Sequence, residues 1–177
     1  MRAGELIGSD RGARAGGAAD IARAWAVLDG VMDPEVPVVS VVQLGIVREV
    51  GWDGGHVWVL ITPTYSGCPA TEVIEADIRA ALEAAGFELP RITARLAPAW
   101  TTDWITELGR QALLAYGIAP PSGSASKRSL LGPAPVIACP HCGAAHTERL
   151  SEFGSTACKA LYRCLDCREP FDYFKCI

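Results

Sequence analysis

At 177 residues, half of them hydrophobic, the chain has the material for one domain of ordinary size plus a small satellite. Its longest apolar runs fall far short of a membrane span, no basic amphipathic stretch suits a membrane surface, and the N-terminus has no apolar segment that reads as a signal peptide. The net charge of −4 is uneven: residues 1–117 hold nine Lys/Arg against fifteen Asp/Glu, and residues 136–177 hold five against five. Neither part offers the basic face that phosphate binding needs, which argues against a nucleic-acid partner.

Residues 1–18, rich in Gly, Ala and Arg, are expected to be a disordered arm. Asp20 can cap a helix to about Leu28, with Ile21, Trp25 and Leu28 on one face. The run Asp33-Pro34-Glu35-Val36-Pro37 cannot be helical through two prolines and reads as a turn into extended chain. Leu44 to Trp52 and His56 to Thr62 read as two strands of a hairpin turned by Asp53-Gly54-Gly55. A polar loop ending in Cys68 precedes a helix from Pro69 to about Ala85, with Val73, Ile74, Ala81 and Leu82 spaced for one buried face. Arg91 to Leu96 alternates as a third strand. Thr102 or Asp103 starts a helix through Ile105, Leu108 and Leu113 to about Tyr116. The order α-β-β-α-β-α over residues 19–117 predicts an α+β domain with helices packed on a small sheet. Residues 118–135, rich in Pro, Gly and Ser, predict a linker.

Residues 136–177 carry Cys139-Pro140-His141-Cys142 and Cys164-Leu165-Asp166-Cys167. Two C-x-x-C knuckles can close a tetrahedron around one ion, so Cys139, Cys142, Cys164 and Cys167 predict a four-cysteine, zinc-ribbon-like module. Such a short segment cannot fold on apolar burial alone, and metal would supply its folding free energy. His141 and His146 read as bystanders beside two intact knuckles. Cys158 and Cys176 are left over. They either pack as small apolar groups or form a second thiol pair that binds metal transiently or oxidises, and the sequence does not decide between these. Paired knuckles and an odd cysteine count fit a reducing cytoplasm better than a disulfide framework.

Cys68 is the other candidate. Standing directly before Pro69, it is expected at or beside a helix N-cap, where unsatisfied amides and the dipole stabilise a thiolate. Thr62, Thr64, Tyr65 and Ser66 add hydrogen-bond donors near it. The alternative is an inert, small buried residue at a loop–helix junction. For Asp33 and Glu35, ligand or acid/base roles compete with a capped turn and a solvated carboxylate, and local physics favours the latter. His56 reads as an exposed strand-end residue, and Trp100, Trp104 and Tyr116 as core or domain-contact residues. No P-loop or zinc-protease, serine-hydrolase or dinucleotide fingerprint is present.

The stretches Asp33-Pro34-Glu35-Val36-Pro37, Val41-Val42-Gln43-Leu44-Gly45-Ile46-Val47 and Thr62-Pro63-Thr64-Tyr65-Ser66-Gly67-Cys68-Pro69 resemble the metal–sulfur cluster biosynthesis family that includes SufT-like proteins. The tail, Ser151 to Tyr162 and Glu169 to Cys176, is similar to one branch of it, the PaaD branch encoded with the ring-1,2-phenylacetyl-CoA epoxidase of aerobic phenylacetate breakdown. The resemblance implies iron–sulfur protein maturation, with the family's reactive cysteine at Cys68 and its acidic turn at Asp33 and Glu35. Gln43 stands where the family often has an acidic residue. The implied role is an accessory factor that helps load the iron–sulfur cluster of the epoxidase's reductase component, with Cys68 as the contact for a transient iron–sulfur cluster or iron. Two other readings stand beside it: an interaction subunit that docks to the oxygenase without metal transfer, and a rubredoxin-like electron carrier. No intrinsic catalysis is expected, since no acid, base and nucleophile set converges. A homodimer is left open.

Overall fold

A computed structural model describes residues 17–121 and 136–175 of the chain. The expected arm up to Gly16, the linker from 122 to 135, and Cys176 lie outside the described residues. The first module runs α1 (Ala18–Leu28), β1 (Val47–Asp53), β2 (His56–Ile61), α2 (Thr71–Ala84), β3 (Arg91–Ala94), a short 3-10 turn (Thr102–Trp104) and α3 (Glu107–Ala115). After it come β4 (Ile118–Ala119), β5 (Thr147–Ser151), β6 (Lys159–Cys164) and β7 (Pro170–Phe174). Among the described residues no helix is long and apolar enough to cross a membrane.

The first sheet has the order β1-β2-β3. β1 and β2 are antiparallel, with Asp53 opposite His56. Gly54 and Gly55 both have positive φ, 56° and 89°, which a two-residue turn matched to strand twist requires. β3 lies parallel to β2, Trp58 opposite Arg91, so α2 makes the crossover. Ala24 and Leu28 of α1 and Ile74, Ile78 and Leu82 of α2 are buried against this sheet with Val57, Val59 and Ile61. That face of α2 corrects the expected one: Val73 is 47% exposed and Ile78 takes its place in the core.

Other boundaries also differ from expectation. α1 begins at Ala18 with Gly17 as its N-cap, and Asp20 sits inside the first turn, its carboxylate accepting the Gly17 amide. Leu44 and Gly45 belong to a turn, not to β1, because their amides donate to Ser40 and Val42 carbonyls. Gly45 has φ 69°, and an added Cβ would come within 2.6 Å of Trp104. The expected long helix from Thr102 is split at Ile105, whose backbone is extended. Thr106 restarts it as the N-cap, its hydroxyl accepting the Gly109 amide at 3.1 Å. That restart leaves Leu108 67% exposed and buries Gly109 and Leu113. Tyr116 is likewise exposed rather than core.

The second sheet has the order β4-β7-β6-β5. Ile118 and Ala119, expected in the linker, form β4 and pair in parallel with Asp172 and Tyr173 of β7. Both are buried, and a continuing strand satisfies their amides better than loose chain would. The cysteine-rich module is therefore joined to the first module by a strand pair. It is also joined by packing. Cys158 and Phe174 are part of the first module's core, with Phe174 1% exposed and its ring 6.1 Å from that of Trp100. Trp100 in turn donates its indole N–H to the Leu44 carbonyl at 3.0 Å.

Phe174→Ala is expected to cost about 3–5 kcal/mol by leaving a cavity where the modules meet. Urea unfolding followed by tryptophan fluorescence would show it as a lowered midpoint. A shift no larger than that of Phe153→Ala, at a 62% exposed site, would contradict the shared core.

Candidate functional site

The four knuckle cysteines converge. Their sulfurs all lie within 4.8 Å of one another, with Cys139 and Cys167 3.8 Å apart and Cys142 and Cys164 3.6 Å apart. A tetrahedral ion with metal–sulfur bonds of about 2.3 Å spaces its sulfurs about 3.8 Å apart, so the donor set fits one metal ion. The knuckle turns aim amides at the sulfurs. The Cys167 amide lies 3.4 Å from the Cys164 sulfur and, as the largest contribution, holds that thiol down at about 7. His141 packs against Gly117, and His146 pairs with Asp166 at 3.1 Å.

A second constellation lies at the junction of the modules. Asp33, Glu35, Pro63, Thr64, Cys68, Cys158 and Phe174 line one cleft. The turn at Asp33 is locally built: its Oδ1 accepts the amides of Glu35 at 2.9 Å and Val36 at 2.8 Å. Cys68 stands two residues before Ala70, the N-cap of α2, and its carbonyl accepts the Thr71 amide at 3.2 Å. The expected seat at the cap is thus corrected, because Pro69 and Ala70 form a turn ahead of the helix instead of its first residues. Cys68 is half-buried, its amide donates to the Tyr65 carbonyl at 3.2 Å, and the Tyr65 phenol lies beside its side chain.

Burial sets the electrostatics of this cleft. It pushes the Asp33 carboxyl above the usual range, against the two amides and Lys159, which pull it down. Burial and then the neighbouring Asp33 charge push Glu35 up. Burial raises the Cys158 thiol, whose sulfur lies 3.0 Å from the Thr156 hydroxyl. Tyr65 is pushed up to about 12 by burial first and then by Cys68, so at neutral pH it keeps its proton. The cation among them is Lys159, only 4% exposed, its ammonium 3.5 Å from the Glu35 carbonyl and 3.8 Å from Asp172.

Of the predicted site residues, Cys68, Asp33 and Glu35 come together. Thr62 does not join them. It is buried, its amide donates to the Ile46 carbonyl, and it lines a different cleft with Arg48, Arg95 and Trp104. A bulge at Arg48 in β1 lets that guanidinium lie 3.5 Å over the Trp104 ring. Gln43 is a turn-former: its Oε1 accepts the Ser40 amide at 3.1 Å while its own amide donates to the Ser40 hydroxyl. His56 bonds the Glu88 carbonyl at 3.0 Å. Lys159 was not among the predicted site residues; Cys158, which the sequence leaves between apolar packing and a thiol pair with Cys176, is buried and lines this cleft.

Residues 123–175 match the family model described as the PaaD zinc beta ribbon domain, and residues 21–87 match the model described as iron–sulfur cluster assembly protein. An Escherichia coli protein provisionally named as a 1,2-phenylacetyl-CoA epoxidase component is 53% identical over 154 residues, 86% of this chain and 91% of that protein. The chain belongs to the PaaD family. An Fe–S protein maturation auxiliary factor of Porphyromonas gingivalis is 37% identical over 94 residues, covering 51% of this chain and 85% of that protein. The crystal structure of a Bacillus anthracis domain of unknown function matches with a TM-score of 0.50 at 26% identity, over 54% of this chain and 92% of that one. The family's two parts therefore meet in this chain at the Cys68 cleft.

Two outcomes follow from this geometry. Stripping the ribbon with a chelator is expected to unfold it and to free Cys158, now 4% exposed, for alkylation. Mass spectrometry of the labelled thiols checks it, and a Cys158 that stays protected in the metal-free chain contradicts it. The second outcome concerns Asp33. A carboxyl whose folded pKa lies above its unfolded value costs nothing below the unfolded pKa and destabilises increasingly as pH rises through the folded one. Asp33→Asn keeps an oxygen for the two amides. It should therefore gain stability relative to the wild type between about pH 4 and pH 7 in urea unfolding. A variant that loses ground over that range would show that the amides and Lys159 outweigh burial.

Proposed function

We propose that this chain is an accessory factor of aerobic phenylacetate degradation that assists iron–sulfur maturation of the ring-1,2-phenylacetyl-CoA epoxidase complex, with the reductase component as its client. Cys68 is the transient contact for iron or a cluster, which is cargo and not a resident cofactor. Asp33 and Glu35 support it from the acidic turn. The observation that carries this reading is the half-buried Cys68 thiol beside a carboxylate pair in a cleft where the assembly domain meets the ribbon. The likeness to an epoxidase component and to Fe–S maturation auxiliary factors supports it.

The ribbon ion is zinc in this reading. Four cysteines saturate it and leave no open position, so the ribbon braces and docks while the exchange chemistry falls to Cys68. Free thiols of this kind suit a reducing cytoplasm. Co-expression of the epoxidase components with this chain, followed by iron and acid-labile sulfide analysis of the purified reductase, tests the proposal. Cys68→Ser is expected to lower reductase cluster content to the level seen without the chain. Full loading with that variant would overturn the maturation role and leave a docking subunit.

A further inference from the structure

Cys158 belongs to the ribbon's sequence but not to its metal site. The ribbon's sulfurs are complete without it, and β6 and β7 carry it away from the knuckles into the cleft that Cys68 lines. There its backbone is pinned, since the Lys175 amide donates to the Cys158 carbonyl at 3.0 Å and β6 pairs Lys159 with Phe174. Four acids face this cleft or its edge: Cys68, Cys158, Asp33 and Glu35. Lys159 is a buried cation beside the cleft, its ammonium 3.5 Å from the Glu35 carbonyl and 3.8 Å from Asp172. Two thiols from different modules and two carboxylates from one turn form an unusual donor set for an inert junction.

We infer that Cys158 is the second thiol of the Cys68 site, and that the junction cleft binds a thiophilic divalent first-row cation through Cys68, Cys158 and Glu35. Asp33 acts as a positioning residue, because its Oδ1 holds the amide of Glu35 and so fixes the turn that carries that carboxylate. The donor chemistry, two soft sulfurs and one hard oxygen, suits ferrous iron or its congeners. Binding releases the two thiol protons to solvent and leaves the oxidation state of the metal unchanged. Among the described residues only the ribbon sulfurs already converge as a group of three or more. The cleft ligands must therefore close on the ion, which makes this site weaker than the ribbon and suited to passing cargo on. This inference rests on the maturation reading of Cys68 and adds its partner thiol.

Cobalt(II) is the probe, titrated under reducing, oxygen-free conditions into full-length protein stripped of metal. Two equivalents are expected. The tight one gives the strong absorption of a tetrathiolate ribbon, and the weaker one gives thiolate-to-cobalt charge transfer of fewer sulfurs. Cys68→Ser and Cys158→Ser are each expected to abolish the second equivalent's charge transfer while retaining the ribbon bands, which report that the ribbon is folded. Should Cys158→Ser also lose the ribbon bands, Glu35→Gln provides the decision, with the second equivalent expected to weaken at least about tenfold. Saturation at one equivalent, or an unchanged second equivalent in Cys158→Ser or Glu35→Gln with the ribbon intact, overturns the inference. If Cys68→Ser abolishes reductase loading while cobalt saturates at one equivalent, the maturation role survives and the two-thiol site does not.

Discussion

The arrangement depends on one burial: the β7 end of the ribbon, through Phe174, completes the hydrophobic core of the preceding domain. The ring stacks obliquely on Trp100, whose indole is tied to the Leu44 carbonyl at the turn leading into β1. That contact fixes the register of β7 against the first module, and the β6–β7 ladder converts the register into a position for Cys158 and Lys159. The ribbon is too small to hold its strands by apolar burial alone, so the ladder depends on the ion closing the knuckles. A mechanical path thus runs from the metal through β6 and β7 to the cleft at Cys68. The knuckles and the Cys68 cleft belong to one folding unit, although their cysteines are separate.

The electrostatics of the cleft are informative because they are costly. Carboxylates at water-exposed turns keep ordinary proton affinities, whereas burial pushes both Asp33 and Glu35 upward, and Asp33 does so despite two amide bonds. A fold selected for stability alone would place neutral groups there, as Thr64 and Val36 already are. Lys159 offsets part of the cost but must itself be buried to do so. Such a strained charge balance is a recurring property of sites that bind cations or protons.

How much of this is legible in the sequence follows from the range of the interactions involved. The knuckles are readable because C-x-x-C spacing encodes the site within a few residues, and the sulfur separations agree with the prediction. The hairpin is readable because Gly54 and Gly55 set a turn by themselves. The α3 break escapes a sequence reading because Thr106 competes as a cap in a run that otherwise keeps helical periodicity. The seat of Cys68 is misplaced for a similar reason, since Pro69 suits a first helical position but also suits the turn that precedes one. Cys158 cannot be placed from sequence at all. Its neighbours Cys68, Asp33 and Glu35 are about a hundred residues away, and no local pattern records a contact of that separation. The distinctive stretch Gly154–Ala160 marks the segment without saying what it touches.

In the proposed reading a closed tetrathiolate and a half-buried thiol cleft have different work. A ligand set that saturates its ion exchanges slowly and holds shape, while one that must close on its ion exchanges quickly and holds cargo only briefly. Putting both functions on the same cysteines would sacrifice one for the other. Here the ribbon retains its four sulfurs for shape and presents a fifth, Cys158, at its far end. The domain on the other side supplies Cys68 and the carboxylates. The two modules meet through Phe174 in the shared core and through the short β4–β7 pair.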